Sequence, residues 1–363
     1  MMALEKTLPW VLLATLLAAC PAGGRKPTVN PLNLTLTDYE PARGASALIA
    51  SPDGAFLAAE LIFSGETLPA VIKVIDRPNA KVVAHARGSL LAGPDERGEV
   101  LYLDAADRAA PRLRSTARAE LAAPLPAATA DFARWSGFRL GATRQHLVLL
   151  REEPSGVTLT ALQLPDGGEL ATRTVPSSEL TLLASAVSPD EDTVYLSGKT
   201  PGGPAAGAIV ALDGNTLRER WRAPWPAGHN FDDSPALAVT GDGTLVAAYA
   251  RSGLFVVDAR RGTGGAVVAF DGLDATALVG VPGKSALVAL RTFARGVEPP
   301  AYTLEAIELP SGKITKLRPQ SGPVNPAALV VVGTSVLVAP GAPPRQPGDP
   351  STWGPEVSGF VEP

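Results

Sequence analysis

Short apolar runs separated by turn signals recur along the chain, and the clearest example is the stretch Leu182–Trp221. An apolar run at 183–187 leads into the turn Ser188-Pro189-Asp190-Glu191, and a second run follows at 193–196. After a Gly/Pro-rich loop come a third run at 208–212, a turn at 213–215 and a last segment that ends at Trp221. This pattern predicts four short strands joined by turns within about 40 residues.

The same unit repeats with a regular period. Its first turn recurs near Ser51, Gly93, Gly141, Ser188, Thr240, Val281 and Val331, roughly 41 to 52 residues apart. A second hairpin is predicted in five of the units, at 71–83, 157–172, 209–221, 254–270 and 304–317. A period of this length is typical of four-stranded propeller blades. The sequence therefore predicts an all-β fold, a β-propeller of seven four-stranded blades.

Two of the repeats deviate from this pattern. In the second, Leu113–Leu121 is interrupted by Arg and Ala, and in the seventh the chain becomes Pro/Gly-rich after Val332–Ala339. A ring of blades must cover its open edge, and Leu32–Thr37 (LNLTLT) is a spare strand because its apolar and polar residues alternate. We predict that Leu32–Thr37 completes the last blade. The tail around Val357–Val361 either adds to that blade or lies over the surface.

The N-terminus has the features of a secretion signal. Lys6 precedes the apolar run Leu8–Ala19, which as a helix would span about 18 Å, less than the roughly 30 Å of a bilayer core. The run ends Leu17-Ala18-Ala19-Cys20, which resembles the lipobox of bacterial lipoproteins. The resemblance implies that Cys20 becomes the mature N-terminus and carries a lipid anchor. The alternative is an ordinary cleaved signal that contains a cysteine.

These features predict the organisation of the chain and its location. Residues 1–19 are expected to be the signal peptide, 20–31 a tether, and 32–363 a single propeller domain with a Pro/Gly-rich C-terminal tail. The expected location is the cell envelope, on a bacterial membrane through the lipid on Cys20, facing the periplasm or the outside. Cys20 is the only cysteine, so no internal disulfide can support the fold.

The composition of the chain argues against nucleic acid as a partner. The net charge of −4 offers no general attraction to nucleic acid or to an anionic membrane. The densest basic stretch contains Arg108, Arg112, Arg114 and Arg118, and we interpret it as a solvated face. The 36 glycines and 35 prolines suit a fold with many turns.

Two stretches carry a resemblance to known repeats. Ser51–Ala86 contains SPDGAFLAAELI followed by VIKVIDRPNAKVVAHA, and it resembles the YVTN-type propeller repeat. Ile209–Trp221 (IVALDGNTLRERW) is similar to the quinoprotein-type repeat, with its A-x-D-x-x-T pattern and closing Trp. Both resemblances imply blade geometry, and propellers with such geometry host unrelated functions.

A search for catalytic patterns yields little. The chain has no G-x-S-x-G nucleophile elbow, and none of its three histidines has a metal-ligand partner at short spacing. His85 and His146 lie on predicted strands, where we expect structural roles. The sequence therefore predicts no catalytic residue, no metal ligand and no cofactor.

Candidate ligand-binding residues fall on one face of the predicted ring. The tight turns of a propeller lie on one face, and the longer connections lie on the other, where binding residues collect. His229, Asp232 and Asp233 belong to one such connection, and Arg134 and Arg295 belong to two others. By contrast, we expect Asp190, Glu191, Asp192 and Asp242 to cap turns.

Two functions of different classes follow. The first is a cell-envelope lipoprotein that presents its propeller as a non-catalytic binding or scaffold module for another envelope protein or a polymer. The second is an enzyme of lactonase-like or quinoprotein-like type, with its site at the mouth of the central channel. A deep, acid-lined funnel at that mouth would favour the enzyme, and a shallow apolar surface would favour binding.

Overall fold

The computed structural model is built from β-strands throughout its described residues. These all lie within one compact unit, Pro31–Pro363. The described residues are 44–62, 70–79, 81–104, 112–117, 123–124, 134–140, 145–164, 166–188, 192–201, 206–226, 236–250, 253–269, 274–292, 301–321, 326–333 and 335–340. In these ranges no helix has the length and apolar character needed to cross a membrane.

The strands form six four-stranded sheets, each an antiparallel meander in chain order. Blade one consists of β1 (Gly44–Ala50), β2 (Phe56–Ile62), β3 (Val71–Asp76) and β4 (Lys81–Arg87). Blade two consists of β5 (Ser89–Ala92), β6 (Leu101–Asp104), β7 (Arg112–Ser115) and β8 (Ala123–Pro124). Blade three consists of β9 (Arg134–Leu140), β10 (His146–Glu153), β11 (Gly156–Gln163) and β12 (Gly168–Pro176).

The second half of the chain continues the pattern. Blade four consists of β13 (Thr181–Ser188), β14 (Thr193–Lys199), β15 (Gly207–Asp213) and β16 (Glu219–Pro224). Blade five consists of β17 (Leu237–Val239), β18 (Leu245–Ala250), β19 (Gly253–Asp258) and β20 (Ala266–Ala269). Blade six consists of β21 (Asp274–Gly280), β22 (Ala286–Thr292), β23 (Ala301–Glu308) and β24 (Lys313–Ser321). A seventh sheet has two described strands, β25 (Pro326–Val332) and β26 (Ser335–Pro340).

The sheets pack face to face in a closed series. Each seam between successive blades is filled by one cluster of buried apolar side chains, for example Leu150 and Leu159 of blade three with Val194 and Leu196 of blade four. The seventh sheet packs against blade six on one side, and on the other side it packs against Leu57 and its neighbours in blade one. The ring therefore closes on itself through apolar contacts.

β-Bulges recur at equivalent positions in the repeats. On the rim, the outer strand carries one unpaired residue, which is Val83 in blade one, Leu170 in blade three and Arg220 in blade four. On the hub side, the inner strands of five sheets carry a bulge near their first residues. A bulge bends its strand and increases the local twist. Such repetition supports the derivation of all these sheets from one repeating unit.

The five predicted second hairpins are confirmed as β3–β4, β11–β12, β15–β16, β19–β20 and β23–β24. The outer strands of the second repeat are short, as the interruptions by Arg and Ala predicted: β7 has four residues and β8 has two. Six four-stranded blades are described against the seven predicted, since the seventh sheet contributes only β25 and β26. Leu32–Thr37 and Val357–Val361 lie outside the described residues.

Candidate functional site: the link face of the ring

The meander gives the ring two chemically different faces. The turns that join strands one to two and three to four of each blade lie on one face, which we call the turn face. The connections from strand two to strand three and from blade to blade lie on the opposite face, which we call the link face. Turn-face connections are short, such as 51–55 and 77–80, whereas link-face connections include 225–236 and 293–300.

Polar side chains on the turn face hold the turns themselves. In blade one, Ser51 Oγ donates a hydrogen bond to Asp53 Oδ1 at 2.6 Å and accepts one from the Phe56 amide at 2.9 Å. In blade five, Thr240 and Asp242 repeat this arrangement at 2.6 Å. Ser285 of blade six also donates to Asp242, so this turn is bonded to the next blade.

Two turn-face carboxylates have strongly lowered pKa values. Burial alone would raise the pKa of Asp242, but hydrogen bonds from Ser285, Thr240 and Thr244 outweigh it and lower the pKa to about 2. Asp213 behaves in the same way, since hydrogen bonds from Arg220 and Thr216 outweigh burial and lower its pKa to about 2. Both carboxylates are therefore ionised turn caps, and the prediction for Asp242 is confirmed.

On the link face, blade three presents an aromatic and ionic cluster. The Arg151 guanidinium lies 5.8 Å from the centroid of the Trp135 ring, and its Nε lies 3.3 Å from Glu153 Oε1. The side chains of Arg151 and Glu153 are 13% and 9% exposed, so this ion pair is largely shielded from water. Attraction between a cation and an aromatic face strengthens when water is excluded. The cluster therefore places a largely buried ion pair and an aromatic ring at the link-face end of blade three.

A second ion pair lies near the link face, deep in blade six. Arg291 Nη1 and Glu305 Oε2 are 2.8 Å apart, and each side chain is only 3% exposed. Beside them, the Thr303 hydroxyl is buried without a hydrogen-bond partner in the described part of the chain. Arg291 and Thr303 are directly paired across β22 and β23. The sequence analysis did not predict this ion pair, because Arg291 and Glu305 lie on different strands and neither belongs to a local motif.

A third polar group ties blade one to blade two near the same face. Glu60 Oε2 accepts a hydrogen bond from the Leu90 amide of β5, and Glu60 Oε1 accepts one from Ser46 Oγ. Ser46 is the extra residue of the hub-side bulge in β1. A carboxylate that accepts a backbone N–H at a seam fixes the position of the neighbouring strand. Glu60 therefore has a structural role.

The candidate residues from the sequence fall mostly outside the described part of the chain. His229, Asp232, Asp233, Arg295 and Cys20 lie in ranges that the structure does not describe, so their roles stay predictions. Arg134 is the first residue of β9, and its Cα pairs with that of Glu152, which places it at the link-face end of blade three. His85 and His146 lie on β4 and β10, as predicted. The described residues contain no cluster of three or more His, Cys, Asp or Glu that could hold a metal ion.

Comparison with known proteins shows the fold. No protein-family model and no curated protein matches the chain. Among solved structures, it is similar to the RRP9 WD40 repeats at 8% identity, with a TM-score of 0.54 over 83% of this chain and 87% of that one. It is also similar to a structure from a study of two prolyl endopeptidases, at 16% identity and a TM-score of 0.56. The match covers 81% of this chain and 45% of that one.

A third similar structure is the Cps50 (Swd1) β-propeller domain of Myceliophteria thermophila, at 12% identity and a TM-score of 0.48. The match covers 68% of this chain and 79% of that domain. At 8% and 16% identity, the likeness to the RRP9 WD40 repeats and to the prolyl endopeptidase structure shows the fold alone, a β-propeller.

Proposed function

We propose that the protein is a cell-envelope lipoprotein, anchored to a bacterial membrane at Cys20, whose propeller is a non-catalytic binding module. Its partner is another envelope protein or a polymer, and its binding surface is the link face. In this proposal the ring has seven four-stranded blades of YVTN-type and quinoprotein-like repeats, and Leu32–Thr37 closes the last one.

The difference between the two faces is the observation that carries the binding role. Side chains on the turn face are engaged by their own turns, as Asp213 and Asp242 illustrate. The link face combines long connections with the fixed Trp135, Arg151 and Glu153 cluster. Loops of variable length on a rigid scaffold are where binding surfaces form in such folds. We therefore assign partner binding to the link face in this proposal.

The lipid anchor is tested by partition between detergent and water. Wild-type protein expressed in a bacterium should enter the detergent phase, because several acyl chains on Cys20 give stable anchoring. The Cys20→Ala variant should remain unprocessed or appear in the aqueous phase. Wild-type protein in the aqueous phase would contradict the anchor.

The binding surface is tested with matched surface variants. Ser155 and Pro201 are exposed residues on the link face, and Asp166 and Thr263 are exposed residues on the turn face. Membranes carrying Ser155→Arg/Pro201→Arg or Asp166→Arg/Thr263→Arg protein would be cross-linked, solubilised and compared with wild type. Loss of a cross-linked partner in the link-face variant alone supports the proposal. Loss in the turn-face variant alone places the surface on the other side.

The enzyme of lactonase-like or quinoprotein-like type remains the alternative prediction. It requires acidic and cationic groups that converge at the link-face mouth of the channel, where His229, Asp232 and Asp233 would be the first candidates. Turnover of lactones, or of alcohols with an added quinone cofactor, would favour this alternative if it were abolished in Asp232→Asn protein.

A further inference from the structure

Five Asp-Gly dipeptides occur in the chain, and each places a side-chain carboxyl beside a backbone amide that no Cβ hinders. Four of them lie at described turns of the turn face, and Asp271-Gly272 lies outside the described residues. The four are Asp53-Gly54 in blade one, Asp166-Gly167 in blade three, Asp213-Gly214 in blade four and Asp242-Gly243 in blade five. Because all four share the same dipeptide, differences in their chemistry come mainly from the fold.

Three of the four carboxylates are held by hydrogen bonds. Asp53 Oδ1 accepts from the Ala55 amide at 3.0 Å, and Asp213 Oδ2 accepts from Arg220 at 2.8 Å. Asp242 is bonded both to its own turn and to the next blade, as described above. Side chains that cap a turn in this way are directed towards later residues of the turn. These three carboxyl groups are therefore kept from attack by the amide that directly follows them.

Asp166 lies in the turn between β11 and β12 and differs from the other three. Its side chain is exposed and makes no hydrogen bond or ion pair within the described part of the chain. The turn around it is also open, because a Cβ on Gly168 would meet no atom within 4 Å. By contrast, a Cβ on Gly54 would collide with Val332, and one on Gly214 would collide with Leu140. The carboxyl of Asp166 is therefore free to move in a turn that no neighbouring blade confines.

We propose that Asp166 is a site of spontaneous covalent modification, at which the aspartyl residue rearranges to isoaspartate through a cyclic imide formed with Gly167. The Gly167 amide nitrogen attacks Asp166 Cγ, a C–N bond forms, and the amide proton leaves with the carboxyl hydroxyl as water. Water then adds to the main-chain carbonyl carbon of the imide and breaks its bond to nitrogen. The product has the same composition, a free α-carboxylate and one additional methylene group in the backbone of the turn.

Protonation adds to the contrast between Asp166 and two of the capped residues. Burial would raise the pKa of Asp213 and Asp242, but hydrogen bonds outweigh it and lower both values to about 2. Only a neutral carboxyl can lose its hydroxyl as water when the imide ring closes. Each unit by which a pKa is lowered reduces the neutral fraction at neutral pH about tenfold. Ring closure at Asp213 and Asp242 is therefore slowed by charge as well as by geometry.

Peptide mapping of aged protein tests the assignment. Full-length protein would be kept for weeks at neutral pH in water labelled with heavy oxygen, and isoaspartate would be quantified by mass spectrometry with electron-transfer fragmentation. We expect at least about tenfold more isoaspartate at position 166 than at 213 or 242, and less at 53 than at 166. The modified peptide should carry one heavy oxygen, because imide hydrolysis takes one oxygen from the solvent. Similar levels at the four positions, or no isoaspartate at 166, would overturn the proposal.

Unfolded protein and two variants are the controls. In urea the four dipeptides should react at comparable rates, and an unchanged preference for 166 would show that the fold is not its cause. Asp166→Glu should abolish the modification at this position, because its side chain would have to close a larger ring. Ser285→Ala removes one donor to Asp242 and should raise isoaspartate at 242 several-fold. An unchanged level at 242 would contradict protection by hydrogen bonds.

Discussion

The indole nitrogen of Trp221 lies 3.0 Å from the carbonyl oxygen of Ala259, so a side chain of blade four is hydrogen-bonded to the backbone of blade five. The Tyr195 hydroxyl donates to the same carbonyl at 3.1 Å. The two rings also pack together, with centroids 5.8 Å apart. One buried acceptor therefore receives two donors from the neighbouring blade.

Because these two hydrogen bonds share the Ala259 carbonyl, we expect the losses of stability in variants at Trp221 and Tyr195 to be non-additive. Trp221→Phe and Tyr195→Phe should each lower the free energy of unfolding by about 1 kcal/mol, because the carbonyl keeps one donor. The double variant leaves a buried acceptor unpaired, so its loss should exceed the sum of the two by about 1 kcal/mol. The measurement is urea unfolding of wild type, the two single variants and the double variant, which together form a double-mutant cycle. Strictly additive losses would show that the shared acceptor does not couple them.

Removing one partner of the Arg291–Glu305 ion pair should lower the free energy of unfolding more than replacing both partners with apolar side chains. Glu305→Leu removes the buried carboxylate that lies 2.8 Å from the Arg291 guanidinium, and we expect it to lower the free energy of unfolding by about 3–5 kcal/mol. Arg291→Met combined with Glu305→Leu should recover a large part of that loss, since apolar pairs can substitute for a buried ion pair. The control is Glu308→Gln, because its partner Lys313 is 68% exposed. We expect a change within about 0.5 kcal/mol there.

The free energy of unfolding should decrease as the pH falls from about 4 to about 2. The folded pKa values of Asp213 and Asp242 are about 2, below the ordinary 3.8, so the unfolded chain takes up these protons first. The stabilisation is complete above the unfolded pKa and is lost as the pH falls through the folded pKa. Asp213→Asn and Asp242→Asn should each flatten this dependence in urea midpoints. The same slope in variant and wild type would contradict the assignment, and Asp166→Asn, at an exposed turn acid, is the control.

Deleting residues 21–38 should lower the melting temperature and promote aggregation, because the edge of β26 loses its proposed closing strand. Deleting 21–31 alone removes only the tether and should melt like wild type. A 21–38 deletion that melts normally and stays monomeric would rule out closure by Leu32–Thr37.

The repeat pattern predicted the blades well because each hairpin is a local structure. Turn residues such as Asp213 and Gly214 lie within a few positions of the strands they connect, and the period of the pattern follows directly. The weakness of blade two was equally visible, since Arg and Ala interrupt its outer strands.

The contacts between blades could not be predicted in this way. Arg139 of blade three reaches Asp95 and Glu99 of blade two, at 3.6 and 3.5 Å, across some 40 residues of chain. Such a pair depends on the packing of two sheets, and nothing in the local sequence marks it. The proposed ligand residues, such as His229, lie on long connections without turn signatures. Their placement needs information beyond hydrophobic periodicity.

The bulges on the rim have a consequence for how these molecules can crowd together. Val83, Leu170 and Arg220 each interrupt the regular row of backbone donors and acceptors along an outer strand. A bulged, twisted edge is a poor template for a strand of a second molecule. Neighbouring molecules can therefore touch rim to rim at high concentration without pairing their edges into continuous sheets.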